Sequence, residues 1–393
     1  MQTTDGFDGL RCLDCGTEFG INGPNRCADC GGVLEPVYDE SVLETAHDQL
    51  FGGDSAAGLA QFADVLPFTV DAIPTVEEGG TPTVDCPTLA EEAGVGGVHL
   101  KDEARNATGG ITDREMAVAV AAAAEHGVEA VALPTTGNAG QSAAAYAARA
   151  GLESTSFVPS RATFETKAMI NVHGGEMNVV GGRYGDAAEA FESASEDEDW
   201  YSLAPFGTPF RHEGAKTIAY ELAKSVGSAP DAVVHPTAHG TGLLGIHRGF
   251  RELAATGAIE AVPRLYAAQP NGCASIVEAW EGNEEITPVE QPDTIAGALE
   301  IPDPEGGEYV LDALDATDGG AVAVEDKELL EAGTTLAQDG VPVSATGATA
   351  VAGLTKLAES GAFDEDDAVV LINPATANRE ADILRSHLMS KGI

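Results

Sequence analysis

The sequence predicts an α/β protein built on doubly wound parallel sheets, with a small cysteine ribbon in front of them. Three observations support this class. Short apolar strands alternate with helices of ten or more residues along most of the chain. Hydrophobic residues make up 43% of the 393 and are mainly Ala, Val and Leu, as is usual for helices that cover a parallel sheet. Four cysteines form two CxxC pairs near the start.

The expected elements follow in chain order. Strands are expected at 97–101, 128–133, 154–158, 232–235, 265–268 and 368–372, and helices at 114–126, 138–150, 164–172 and 242–255, with a closing helix after the last strand. The acidic, Pro-containing stretch 281–308 is expected to be a surface excursion. The predicted divisions are a ribbon at 1–38, a linker and docking segment with a helix at 39–80, mixed small- and large-domain portions at 81–210, and a large α/β domain at 211–393.

The charge balance is strongly acidic, with 64 Asp and Glu against 20 Lys and Arg and a net charge of -44. Apolar periodicity persists through the chain, so the acid belongs to a folded surface. Such a surface is typical of a halophile, because charges are screened over about 3 Å at molar ionic strength. It also argues against nucleic acid or an anionic membrane as a partner. The chain lacks a long apolar run and a signal segment, which predicts a cytoplasmic protein.

The cysteine ribbon predicts a metal site. Cys12 with Cys15 and Cys27 with Cys30 form two knuckles, each followed by Gly. Two such knuckles supply the four thiolates of a closed tetrahedral zinc site. The alternatives are a ribbon that has lost its metal and a redox-active dithiol pair. Cys86 and Cys273 stand alone and are predicted to be buried small apolar residues.

Three strand-to-helix loops are candidate ligand sites, at 106–114, 135–142 and 235–245, because open α/β sheets bind ligands at the carboxyl ends of their strands. In the third loop Gly240, Gly242 and Gly245 stand in G-x-G-x-x-G order, which can cradle an anion on backbone amides. The loop could also be a plain turn or part of a dinucleotide site. A histidine set at 235, 239 and 247 could ligate a metal, but core or solvated histidines are the favoured interpretation.

Several motifs together resemble a known family. They are the CxxCG pairs, Leu100–Glu103 leading to Asn106–Gly109, Asp113-Arg114, Thr136-Gly137-Asn138, Glu213–Thr217, Gly245–Leu253 and Ala352–Leu357. With these motifs in this order along the sequence, the chain resembles threonine synthase and its relatives among fold-type-II pyridoxal-phosphate enzymes, and specifically a haloarchaeal type of that family. The resemblance implies two doubly wound parallel-sheet domains, pyridoxal phosphate as cofactor, conversion of O-phosphohomoserine to threonine by elimination and replacement, and a homodimer.

The resemblance fails at the cofactor. The family's first loop usually ends in F-K-D-R, with the lysine as Schiff-base partner, and the matching position here is Thr112. The phosphate loop has Ala238 and Thr241 where glycines are usual. Pro374 stands where a threonine contacts the pyridine nitrogen, and Ser344 begins the run that matches E-P-A-S-A. These departures predict a divergent or non-catalytic paralogue.

The remaining candidates leave alternatives open. Asn138 is either the family's contact to the cofactor's phenolic oxygen or a helix N-cap, and Gly240, Thr241 and Gly242 are the other cofactor-binding candidates. Asp113 and Arg114 are expected to anchor their helix. The competing functions are an active lyase with a relocated base, with Lys101, Lys167 and Lys216 as substitutes, and a protein that binds a nucleotide or small anion. The expected partner is a small-molecule ligand that is amino-acid-like or phosphorylated.

Overall fold

A computed structural model describes residues 1–45, 58–226 and 229–390. The part of the predicted docking segment at 46–57 lies outside this description. The strands are β1 (Phe7–Cys12), β2 (Glu18–Phe19), β3 (Leu34–Tyr38), β4 (Thr83–Asp85), β5 (Gly97–Asp102), β6 (Ala130–Pro134), β7 (Glu153–Pro159), β8 (Glu176–Val180), β9 (Tyr201–Ser202), β10 (Ala232–Pro236), β11 (Arg264–Pro270), β12 (Gly320–Val324) and β13 (Ala368–Asn373).

The α-helices occupy most of the connections between these strands. They are α1 (Pro87–Ala93), α2 (Thr112–Glu125), α3 (Asn138–Ala150), α4 (Phe164–Val172), α5 (Tyr184–Ser195), α6 (Arg211–Val226), α7 (Thr241–Ala255), α8 (Ser275–Gly282), α9 (Gly307–Ala316), α10 (Asp326–Gln338), α11 (Ala345–Glu359) and α12 (Ala381–Ser390). The predicted helices at 138–150 and 164–172 have the observed bounds, and the other predicted strands and helices agree to within about two residues.

The chain divides into two compact units. The first comprises Met1–Gly80, Thr112–Lys224 and Arg248–Glu260, and the second comprises Thr81–Ile111, Ser225–His247 and Ala261–Ile393. Each unit is therefore assembled from separate stretches of chain, and helix α7 is divided between them at Arg248.

The first unit contains a four-stranded parallel sheet in the order β8-β7-β6-β9 and the three-stranded antiparallel ribbon β2-β1-β3. Helices connect the parallel strands because such strands need a crossover. One apolar cluster packs Phe157 against Phe191 of α5. On the other face Val158 packs with Ala144 of α3 and Ile170 of α4. Both faces of the sheet are therefore covered, as a doubly wound fold requires.

The second unit contains a six-stranded sheet in the order β12-β11-β10-β13-β5-β4. Its strands are parallel except β4, which pairs antiparallel with β5 at the edge. The fold class predicted from the sequence is thus confirmed: the protein is a mixed α/β chain with parallel sheets. Among the described residues, no helix has the length and apolar character needed to cross a membrane.

The expectation of a surface excursion at 281–308 is wrong in part. Ala296 and Leu299 are buried in the core of the second unit, in the same apolar cluster as residues of α11. The acidic composition of the stretch concealed these few apolar residues, which fold back onto the core, while its acidic residues other than the buried Glu300 face solvent. Cys86 and Cys273 are buried, as predicted.

Candidate functional site

Thr112 is the first residue of α2 and is half-buried. Its hydroxyl oxygen lies 2.7 Å from Oγ of Ser142, within the first unit. Ser142 also donates to the backbone carbonyl of Asn138 at 3.4 Å. Two sequence candidates, Thr112 and Asn138, are therefore brought together through one serine.

Asn138 does not cap its helix, so the N-cap interpretation is wrong. It is the first helical residue of α3, and the cap position is Gly137, at φ 130°. The free amides of the loop are taken by Thr135, whose hydroxyl accepts from Gly137 N–H at 2.9 Å and from Gly140 N–H at 3.2 Å. A side chain at 137 would also press against Thr166, since an added Cβ would lie 2.9 Å from it. This turn requires glycine, and the partly exposed Asn138 side chain is not needed for capping.

The start of α2 is held by buried charge. Arg114 is fully buried and makes a bidentate pair with Glu221 of α6, with Nη1–Oε1 at 2.7 Å and Nη2–Oε2 at 2.8 Å. The same guanidinium donates to Thr217 at 2.9 Å. Planar guanidinium and carboxylate groups match in such a fork. Arg114 thus anchors its helix, as predicted.

The three lysines considered as substitute bases each have a partner. Lys101 is buried, and its Nζ donates to the carbonyl of Thr81 at 2.6 Å. Nζ of Lys167 donates to the carbonyl of Ser160 at 2.9 Å. Nζ of Lys216 lies 2.9 Å from Glu213. A lysine acting as a Schiff-base nucleophile must be free to attack as a neutral amine, whereas Nζ of Lys216 is engaged in ion pairs with Glu213 and Glu252.

The glycine-containing loop lies in the second unit, between β10 and α7. Gly240 adopts φ +97°, and Thr241 is the first residue of α7. An added Cβ at Gly242 would lie 2.6 Å from Nε2 of His235 and 3.1 Å from Cδ1 of Ile111. Gly242 therefore permits a buried histidine to lie against the first turn of the helix, where backbone amides are unpaired within the helix.

The loop is also fixed by contacts from the second unit. The backbone amide of Gly306 donates to the carbonyl of His239 at 3.0 Å, and that of Glu305 donates to its Nδ1 at 3.4 Å. His235 and His239 are buried and His247 is partly buried. These histidines do not form a ligand cluster: within the described ranges, only the four ribbon cysteines form a group able to hold a metal.

The C-terminal run that begins at Pro374 is occupied by backbone pairing. The carbonyl of Pro374 accepts from Ile111 N–H at 2.9 Å, and Thr376 N–H donates to the carbonyl of Gly109 at 2.9 Å. Further along, the carboxylate of Glu380 accepts from both the amide and the hydroxyl of Thr346, each at 3.0 Å. Burial raises the pKa of Glu380. The run thus ties together the loops of the second unit.

The four ribbon sulfurs lie together, all within 4.8 Å of one another. The Sγ atoms of Cys12 and Cys30 are 3.5 Å apart, as are those of Cys15 and Cys30, and those of Cys15 and Cys27 are 3.6 Å apart. Ligands at the usual 2.3 Å from a tetrahedral zinc would be about 3.8 Å apart. The thiolate donors and their spacing both fit a tetrahedral metal ion such as zinc.

A cluster of buried charges escaped the sequence analysis, although its residues lie in two motifs quoted for the resemblance. Lys216 of α6 contacts Glu213 and, at 3.0 Å, Glu252 of α7. Arg248 contacts the same two carboxylates at 2.6 and 3.0 Å. Tyr38 of the ribbon donates its hydroxyl to Glu213 at 2.5 Å. The i,i+3 and i,i+4 spacings within 213–216 and 248–252 were the available signal.

Comparison with known proteins places the chain in a family. A family model described as pyridoxal-phosphate dependent enzyme matches residues 75–375. The threonine synthase of Methanocaldococcus jannaschii is 33% identical over 377 residues, which cover 95% of this chain and 93% of the relative. The threonine synthase of Methanosarcina acetivorans is 33% identical over 368 residues, covering 92% and 90%.

Solved structures share the fold. Maize serine racemase superposes with a TM-score of 0.67 at 18% identity, covering 80% of this chain and 94% of that one. The processed form of threonine deaminase isoform 2 from Solanum lycopersicum gives 0.66 at 18% identity, covering 78% and 83%.

Proposed function

The chain belongs to the pyridoxal-phosphate dependent enzyme family, as a threonine synthase-like member, and from that premise we propose that it is a non-catalytic or divergent paralogue. The family reaction, conversion of O-phosphohomoserine to threonine, needs a lysine that holds the cofactor and moves protons. The proposal rests on Thr112, which stands at the position that the resemblance assigns to that lysine and whose hydroxyl lies 2.7 Å from Oγ of Ser142.

The residues of this chain do not fit a Schiff base with pyridoxal phosphate. An alcohol cannot form an imine with an aldehyde, so Thr112 cannot replace the lysine in that role. General acid–base catalysis by a positioned side chain contributes roughly 10²- to 10⁴-fold, and a threonine hydroxyl does not titrate near neutral pH. The family implies the cofactor, but no catalytic step through it follows from the residues present.

Other departures on the cofactor side support the same conclusion. Thr241 and Ala238 replace glycines of the phosphate loop, and Pro374 has no side-chain donor for a pyridine nitrogen. The carbonyl of Pro374 instead pairs with Ile111, and Thr346 is bound by Glu380. Because these changes affect several contacts to the same cofactor, they favour loss of the family reaction rather than an isolated substitution at position 112.

The alternative with a relocated base has little support. The ammonium groups of Lys101, Lys167 and Lys216 donate to backbone carbonyls or pair with carboxylates. A small-anion binding function is better supported, because the first-turn amides of α7 have no acceptor within the helix and follow the glycine turn at Gly240. We therefore favour a small amino-acid-like or phosphorylated ligand. Nothing in the described residues favours a nucleotide over smaller anions.

The remaining proposals concern the setting of the protein. The four cysteines are proposed to hold a structural zinc, since thiolate sets of this kind bind it without an open position. The net charge of -44 supports a halophilic protein that does not bind nucleic acid, and a cytoplasmic location stays a prediction from the sequence. A homodimer is proposed from the family resemblance alone.

The test is reaction with pyridoxal phosphate, followed by borohydride trapping and peptide mass spectrometry. The wild-type chain should give no imine absorption band and no trapped lysine. Thr112→Lys should become trapped at position 112 if the cofactor still enters, yet recover little activity because the other contacts differ. Thr112→Ser is the matched control and should behave as wild type. A trapped lysine in the wild-type chain, or strong recovery of activity in Thr112→Lys, would overturn the proposal.

A further inference from the structure

His235 has one nitrogen without a hydrogen-bond partner among the described residues, although the side chain is deeply buried. The residue is 6% exposed, and the nitrogen concerned is Nε2. Buried polar atoms of this kind are rare and need an explanation. Nε2 lies against Gly242, 2.6 Å from where a Cβ would stand, so it faces the first turn of α7.

The proton of His235 can be placed from its neighbour. The hydroxyl of Thr237 donates to the carbonyl of His235 at 2.9 Å, which uses its only proton. The same oxygen lies 3.2 Å from Nδ1 of His235, so Nδ1 carries the imidazole proton and donates to it. A neutral imidazole has one N–H, and Nε2 is then a lone-pair acceptor.

The imidazole remains neutral at ordinary pH. Burial lowers the pKa of His235 to about 3. The shift comes from burial, and no neighbouring charge is among its causes. The tautomer therefore determines what Nε2 can bind.

The amino end of α7 attracts an anion, while the adjacent Nε2 requires a donor. The first-turn amides have no acceptor within the helix, and the helix dipole adds positive potential. An anion with acceptor oxygens only would place a lone pair against that of Nε2. An anion with its own O–H or N–H satisfies both groups.

We propose that His235 makes the amino end of α7 selective for a small oxyanion that carries its own hydrogen-bond donor. Two classes meet this requirement, an α-hydroxy or α-amino carboxylate and a singly protonated phosphate or phosphate monoester. The fully ionised phosphate group of a bound cofactor does not. This inference rests on the proposed small-anion function and specifies its ligand chemistry.

Two matched pairs of probes test the selectivity by calorimetry at mildly alkaline pH, where inorganic phosphate is mainly singly protonated, and at constant KCl. Lactate and acetate differ by a hydroxyl, and singly protonated phosphate and sulfate differ chiefly by the proton. The donor-bearing member of each pair should bind at least about tenfold more tightly, because leaving the buried Nε2 without a donor lowers the affinity by about that factor or more. Preference within the first pair only would assign a carboxylate ligand, and within the second only a phosphate ligand.

Variants separate the tautomer from the packing. Thr237→Val removes the acceptor that fixes Nδ1–H and allows Nε2–H, so sulfate and acetate should gain affinity. His235→Phe removes the lone pair and should abolish the preference within each pair. His99→Gln is the control. His99 lies on β5 with its Nδ1 2.8 Å from Asp85, and its replacement should leave both preferences unchanged.

One measurement needs neither a ligand nor a variant. Nitrogen-15 NMR of the histidine rings should show His235 protonated at Nδ1 only. A proton on Nε2, equal affinities within both pairs, or no binding of any of the four probes would each overturn the inference. Trapping of a pyridoxal imine would instead contradict the non-catalytic proposal and leave the tautomer result standing.

Discussion

Lys216→Met is the substitution that most directly tests how the buried charges support the first unit. The Lys216 side chain is fully buried, and its Nζ lies 2.9 Å from Glu213 and 3.0 Å from Glu252. The same ammonium lies 4.0 Å from the ring centroid of Tyr38. Methionine fills a similar volume without charge, so the substitution removes the electrostatic contacts and largely preserves the packing.

The expected loss is large because the carboxylates remain buried when the ammonium is removed. Breaking a buried pair by removing one partner costs roughly 3 to 5 kcal/mol, most of it from the uncompensated charge. Arg248 still faces both carboxylates, at 2.6 and 3.0 Å, which places the expected loss toward the lower end of that range. Adding Glu213→Gln to Lys216→Met should recover part of the loss, since one buried charge is then also removed.

The assay is denaturant unfolding in concentrated KCl, with the free energy of unfolding compared at matched slopes. Lys327→Met is the control, because Lys327 is 80% exposed and lies 4.0 Å from Glu331. It should change the free energy by less than about 1 kcal/mol. The reasoning fails if Lys216→Met is no more destabilising than this control, or if the double variant is less stable than the single one.

Three further predictions concern the metal, the salt and the pH. Purified protein should contain about one zinc per chain, and Cys27→Ser should lower both the zinc content and the melting temperature. An unchanged melting temperature after removal of the metal would contradict a structural role. Transfer from molar KCl to about 0.1 M lengthens the screening distance to about 10 Å. The melting temperature should then fall, because the acidic side chains behind the net charge of -44 repel one another more strongly. Equal melting temperatures in the two salts would exclude salt adaptation. Burial, with Arg248 and Lys216 nearby, lowers the pKa of His212 from its ordinary 6.5 to about 3. The unfolded chain therefore binds this proton first, so His212 should lower the stability by about 1.4 kcal/mol per pH unit as the pH falls from 6.5 towards 3, and the buried His235 should add a similar contribution. His212→Phe should reduce the slope by about 1.4 kcal/mol per pH unit, and an unchanged slope would refute the assignment.

Much of the fold could be predicted because it follows from local patterns. The helix at 164–172 begins after Thr163, whose hydroxyl caps it by accepting from the Thr166 amide. The ribbon followed from cysteine spacing in the same way. The stretch 281–308 was misjudged because average acidity conceals single apolar residues such as Ala296. Periodicity reports one face of an element and does not report isolated anchors between elements.

The candidate site was predicted less completely. The positions that depart from the family pattern stay a prediction of the sequence. The N-cap interpretation of Asn138 was wrong because Thr135, three residues earlier, accepts from the loop amides. A hydroxyl next to a glycine turn can satisfy those amides from outside the helix. Which of the two residues does so depends on the backbone angles at Gly137, and these are not visible in composition or spacing.

From the residues alone came the fold class, the four-cysteine group, the acidic surface and the absence of a lysine at position 112. These depend on residue type and short-range order. Only the tertiary structure shows that Lys216 and Arg248 share the carboxylates of Glu213 and Glu252, and that the ribbon's Tyr38 donates to Glu213. Only the tertiary structure shows, too, that Nε2 of His235 faces α7 without a hydrogen-bond partner among the described residues. Burial and proton position arise where distant segments meet, because the energy of a charge or a lone pair depends on the groups that surround it after folding.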